Sequence, residues 1–208
     1  MICEKNIEPR RAAWTRRGRR AALPVLAAGM LTFSGCSDMV RTGQASSFLV
    51  ITSLTGTAGG HTESDTVLQS DVLEDNGGLF PDRGNATFTL QMKDVQGAAP
   101  SPNNAITITQ YHVEFVRSDG HNVQGVDVPF AFDGGASVTI NGSGGSLTGF
   151  TLVRIQAKQE APLAALAHGG GANTITTIAR VTFFGHDQAG REVSVTGSIE
   201  VEFADWAG

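Results

Sequence analysis

Between Val193 and Phe203 every second residue is apolar or glycine (Val193, Val195, Gly197, Ile199, Val201 and Phe203), with Ser194, Thr196, Ser198, Glu200 and Glu202 in the gaps. Successive side chains of a strand point to opposite faces, so this pattern predicts a strand with one face in a core and one in water. The preceding stretch, Asn173 to Gly185, is rich in Thr, Ile, Val and Phe, and Asp187, Gln188, Ala189 and Gly190 read as the turn joining the two. A long C-terminal hairpin follows. Gly185 and Gly197 interrupt its arms and predict bulges or bends.

The same period recurs upstream at Phe48 to Leu54, Ala86 to Lys93, Ala105 to Arg117, Val126 to Phe132, Ala136 to Ile140 and Thr148 to Lys158, with Val67 to Leu73 as a further short strand. Within the third segment the phase slips between Ile106, Ile108 and Tyr111, Val113, Phe115, which predicts a bulge near Thr109. A comparable slip separates Phe150, Leu152 from Val153, Ile155. One short connector helix is expected, with Pro162 at its first position, Leu163 to Ala167 as its body and Gly169 as its left-handed stop. Seven to nine short strands, closely spaced turns and one short helix define an all-β class. The expectation is an antiparallel β-sandwich, immunoglobulin-like in the broad sense but without the Cys, Trp, Cys hallmark.

The first 35 residues read differently. Arg10, Arg11, Arg16, Arg17, Arg19 and Arg20 precede an apolar stretch, Ala21 to Phe33, of about 13 residues, which is too short to span a bilayer. Leu31, Thr32, Phe33, Ser34, Gly35 and Cys36 then resemble the lipobox of a bacterial lipoprotein, with Phe33 an atypical residue for its position. The resemblance implies cleavage after Gly35 and acylation of Cys36, with 36–47 as a flexible tether and 48–208 as the sandwich domain. Thr15, Arg16 and Arg17 suit a twin-arginine export signal, but Gly18, Arg19 and Arg20 depart from it, which leaves ordinary export favoured. Eleven tether residues reach about 18 Å on average, which would hold the domain close to the bilayer. Ser37, rather than Asp, after the cysteine implies an outer-membrane address in a two-membrane bacterium.

Cys3 is the only other cysteine and falls in the leader, so the exported part can form no internal disulfide. It must be stabilised by its core, and about 160 residues suffice to bury roughly two thirds of the unfolded surface. The leader holds seven of the 15 Lys and Arg but only Glu4 and Glu8, leaving 8 basic and 18 acidic residues beyond it. An acidic domain with no basic stripe argues against nucleic acid as a partner and favours cations or basic surfaces.

Candidate sites are few. Asp71, Glu74, Asp75, Asn76, Asp82 and Asn85 form an acidic segment of the kind that supplies oxygens to calcium, though its spacing matches no EF-hand and a solvated turn-rich loop has the same composition. Trp206 is either a cap on the edge of the core or an exposed anchor for a partner. Tyr111 falls on an inward face, and the ten phenylalanines beyond the leader read as core. His61, His112, His121, His168 and His186 are scattered singly, without zinc-ligand spacing, His121 and His186 lying beside Asp119 and Asp187 at turns. His168 to Gly171 spells the HGGG of lipase oxyanion holes, but no G-x-S-x-G elbow accompanies it.

Asn104 to Gly120, Gly125 to Gly134, Leu152 to Leu166 and Gly185 to Trp206 resemble corresponding stretches of a group of bacterial lipoproteins for which no activity is established. The resemblance covers most of the exported part and implies architecture rather than chemistry. The expectation is a membrane-anchored envelope lipoprotein, non-enzymatic, acting as a structural or protein-interaction module with an envelope protein as partner. The alternative is a surface module that binds calcium or a glycan through loops at one end of the sandwich.

Overall fold

A computed structural model of the protein describes residues 45–74, 77–94, 96, 99–169 and 173–206. The leader, Cys36, Asp75, Asn76, Gly170 and Gly171 lie outside these residues. Eight strands form two sheets: β1 (Ser47–Thr57), β2 (Val67–Asp71), β3 (Asp82–Met92), β4 (Ile106–Val116), β5 (Phe132–Ile140), β6 (Gly145–Val153), β7 (Ile175–Asp187) and β8 (Glu192–Ala204). One sheet has the order β1-β3-β6 and the other β2-β8-β7-β4-β5, with every pair antiparallel except β2 and β8. In letters this is A-B-E facing A′-G-F-C-C′, the Greek-key order of an immunoglobulin-type sandwich lacking strand D.

Aromatic rings join the layers. Phe88 of one sheet meets Phe183 of the other edge-on at 5.0 Å, and Phe150 meets Phe183 at 5.5 Å and Tyr111 at 5.1 Å. Glycines make room for this packing: a Cβ on Gly84 would lie 2.3 Å from the Phe150 ring, and one on Gly134 would lie 2.1 Å from the Tyr111 ring. Tyr111 is buried as expected, and its hydroxyl accepts the Thr151 N–H at 3.1 Å. Of the ten phenylalanines, Phe88, Phe115, Phe150, Phe183 and Phe203 are buried, whereas Phe48, Phe80, Phe130 and Phe184 are exposed.

The expected bulge in β4 is present: Thr109 is skipped in pairing with both β5 and β7. In β6 the pairing skips Leu152 and Gly149. Gly185 and Gly197, expected to bend the last hairpin, do not interrupt the register of β7 and β8. They serve close approach instead. A Cβ on Gly185 would lie 2.2 Å from the Thr107 carbonyl oxygen, and one on Gly197 would lie 2.8 Å from Ile51 across the sandwich.

Three segments depart from the alternation. Val126 to Phe130 is not a strand: the Asp127 carboxylate accepts the Val123 N–H, Val126 and Asp127 donate to the Val123 carbonyl, and of these residues Val128 and Pro129 are buried. Pro129 cannot donate to a ladder, and the Asp127 side chain offers the backbone a turn. The strand expected to run to Lys158 ends at Val153, and a one-turn helix, α1 (Ile155–Gln159), follows. The helix expected at Pro162 is a 3₁₀ turn, Leu163–Ala165, and its left-handed residue is His168 (φ 65°) rather than Gly169.

Chain direction divides the sandwich into two ends. Ser47 pairs with Met92, Ile106 with Ile140 and Asp187, and the Ser47 hydroxyl donates to the Asn104 carbonyl at 2.9 Å, which brings the entry of the chain and the tight hairpins together. The 93–105 connection joins them there, and the opposite end carries the connections 58–66, 72–81, 117–131 and 154–174 and Trp206. An eleven-residue strand separates the two ends by about 36 Å.

Candidate ligand cleft

At the end remote from chain entry, an open cleft of about 550 Å³ is lined by Ala58, His61, Glu63 and Asp65 of the β1–β2 connection, by Val67, Leu68, Gln69 and Asp71 of β2, and by Glu74 and Trp206. Its walls follow from local sequence. Gly56 and Asp65 exchange both backbone hydrogen bonds, 2.9 and 2.8 Å, and so close the turn between them. Inside that turn Gly60 is left-handed at φ 80°, and Gly59 lies so close to Phe80 that a Cβ would sit 2.4 Å from the Phe80 Cβ. Beyond the turn the chain passes from one sheet to the other: β1 pairs with β3, and β2 pairs in parallel with β8.

Behind β2 is a buried ion pair. The Lys158 ammonium donates to Asp82 Oδ1 at 2.9 Å, with the lysine side chain 2 % and the aspartate side chain 0 % exposed. Gly59 N–H donates to the same oxygen at 2.8 Å, and the Ser70 hydroxyl donates to Oδ2. A carboxylate without water needs such partners, because an unpaired buried charge costs several kcal/mol. The pair therefore ties four elements together: the turn after β1, β2, the start of β3, and α1. The strand period assigned Lys158 to a ladder; one helical turn instead aims it at Asp82.

Asp71 closes the cleft on the side of Trp206. Its Oδ1 accepts the backbone N–H groups of Leu73 and Trp206, each at 3.2 Å. Burial raises its pKa above the ordinary carboxylate value, the two N–H donors oppose that shift, and the neighbouring Asp205 adds to it. Glu74 lies over Gly60, whose Cβ position is 3.6 Å from a Glu74 carboxylate oxygen. Trp206 is half-buried, and its indole Nε1 is covered and has no hydrogen-bond partner among the described residues. Four carboxylates, one histidine and no lysine or arginine line the cleft.

The calcium candidates thus separate. Asp71 and Glu74 line the cleft, Asp75 is outside the described residues, and both carboxylate oxygens of Asp82 are taken up by the interior network. Among the described residues no three His, Cys, Asp or Glu side chains stand close enough to hold a metal. Sequence reasoning grouped Asp71 with Asp82 and did not join either to Trp206, His61, Glu63 or Asp65. The signal available was Gly59-Gly60, which marks a tight turn that folds 61–65 back toward β2.

The histidines stay apart elsewhere. His112 Nδ1 is 2.8 Å from Asp133 across β4 and β5, while Thr182, its partner on β7, shares its hydroxyl bond with Thr196. His121 is 3.4 Å from Asp119, and His186 Nδ1 is 3.1 Å from the Asp187 carbonyl. Asp119 is held down to about 2, chiefly by its hydrogen bonds from the Arg117 guanidinium. The comparisons with protein-family models, curated proteins and solved structures found no match to this chain.

Proposed function

We propose that the protein is a lipoprotein of the bacterial envelope, anchored through Cys36, whose sandwich is a non-enzymatic module for binding another protein. The observation that carries this reading is the separation of the two ends. The chain enters the sandwich at Ser47 beside the tight hairpins 141–144 and 188–191 and the 93–105 connection, and the cleft stands about 36 Å away. A lipid on Cys36 would hold the entry end at the bilayer and leave the remote end facing outward. Acidic residues outnumber basic ones in the connections at that remote end, a sign that anionic headgroups repel and basic protein surfaces attract.

The mass of the native polypeptide tests the anchor. Expected are a chain that begins at Cys36 and carries diacylglycerol, and a Cys36→Ser variant that remains uncleaved and unacylated. A native chain beginning elsewhere without lipid overturns the anchor. Photo-crosslinking in intact envelopes from Val126 at the remote end and from Ser143 at the entry end tests the orientation; adducts confined to Ser143 overturn it.

A further inference from the structure

We propose that the free edge of β2 accepts an extended, basic segment of a partner protein, which adds to the five-stranded sheet as a sixth strand. This inference rests on the interaction-module reading above and assigns the surface and the chemistry of the partner.

β2 ends its sheet. It pairs with β8 along Val67 to Asp71, and no described strand pairs with its other edge. The Val72 N–H donates to the Ala204 carbonyl on the β8 side. Backbone direction alternates along a strand, so the N–H and C=O groups of Val67, Gln69 and Asp71 point the other way. An exposed row of such groups is a template for another strand, and proteins usually blunt it with proline, lysine or a covering loop. Neither proline nor lysine occurs in β2, and Val67, Gln69 and Asp71 line the open cleft. Five residues of edge extend about 17 Å, the reach of a peptide of five or six residues.

The surroundings select the occupant. Glu63, Asp65, Asp71 and Glu74 line the cleft without a lysine or arginine among them, so lysines and arginines of an added strand are attracted and acidic segments are repelled. A second copy of this acidic chain is disfavoured on the same ground. Trp206 stands where the edge ends, half-buried, with an apolar ring for an added side chain. Backbone pairing supplies affinity and the carboxylates supply selection, the division of labour of strand addition.

The test uses the protein purified in detergent and carrying Trp14→Phe, so that Trp206 is its only tryptophan. The probes are acetyl-(Lys-Val)₄-amide, the same peptide methylated on every backbone nitrogen, and acetyl-(Glu-Val)₄-amide. Expected is a saturable shift of Trp206 emission with the lysine peptide, about tenfold or more weaker binding after methylation, and none with the glutamate peptide. Gln69→Pro, which removes one outward donor and leaves the β8 ladder intact, should weaken the lysine peptide to a similar extent. Equal binding of the methylated peptide would show only an acidic surface and overturn strand addition, as would no saturable shift or equal binding of the glutamate peptide. None of these readings depends on acylation of Cys36, so a failed anchor and a failed edge are distinguishable.

Discussion

The two ends of the sandwich solve the same problem by different means. At the last hairpin of the entry end the backbone satisfies itself locally. Asp187, buried at the last hairpin, accepts the N–H groups of Ala189 and Arg191 at 2.9 Å each, and Gly190, left-handed at φ 79°, completes the turn. At the remote end local turns occur as well, but the 58–66 connection, β2, β3 and α1 are in addition held by one interior charge pair and its two satellite hydrogen bonds. Local turns are independent of one another, whereas a shared carboxylate couples every element that donates to it. The elements that share Asp82 should therefore fail cooperatively and the last hairpin on its own.

Breaking the charge pair is the strongest way to probe that contrast. Asp82→Ala should cost about 3–5 kcal/mol in chemical denaturation, because Lys158 would be left charged and unpartnered in the interior. A double variant, Asp82→Leu with Lys158→Met, should recover most of that loss, since apolar replacements of similar volume remove the desolvation penalty from both sides. Asp82→Ala should also speed amide exchange across β2, the 58–66 turn and α1 together; exchange confined to β3 would contradict the coupling.

Asp187→Ala at the entry end should cost about 1–2 kcal/mol, the loss of two turn hydrogen bonds, with exchange accelerated only at the last hairpin. If the two variants had equal cost and equal spread, the ends would not differ in kind.

Two pH effects are smaller and opposite in sign. Asp71 has a raised pKa, so its ionised form is penalised in the folded protein. Asp71→Asn should raise the melting temperature slightly at neutral pH, and the gain should fade as pH falls through the raised value to the ordinary carboxylate value. Asp119 is depressed to about 2, so its contribution is present above the ordinary carboxylate value and is lost as pH falls toward about 2. Arg117→Ala should remove most of that dependence and leave the part held by the His121 N–H. The pair is exposed at the surface, and its effect on melting temperature should be the smallest of the set.

The fold was largely legible because the chain writes its faces at period two. The β4 slip at Thr109 appears as a bulge, the final hairpin falls where Asp187 to Gly190 puts it, and Tyr111 is inward. Two of the misreadings share one cause: polar or small residues at inward positions. Asp82 and Gly84 alternate inward with Ala86, Phe88 and Leu90, but neither is apolar, so β3 reads four residues too short. Lys158 is buried for its charge and not for its stem. Val126, Val128 and Phe130 alternate in sequence, yet Pro129 and the Asp127 side chain turn the chain before a ladder can form. The cleft was legible only in pieces, because it is assembled from segments up to 150 positions apart whose meeting depends on the parallel pairing of β2 with β8.

That parallel pairing, with β1 committed to the opposite layer, has a mechanical corollary. A pull transmitted through the segment before Ser47 runs along the axis of β1, so the β1–β3 hydrogen bonds lie across the load and resist it together rather than one at a time. Force that did detach β1 would next reach the Gly59–Gly60 turn, where the Gly59 N–H is fastened to Asp82. The fold thereby places a second fastening behind the first, on the path along which tension applied before Ser47 would travel.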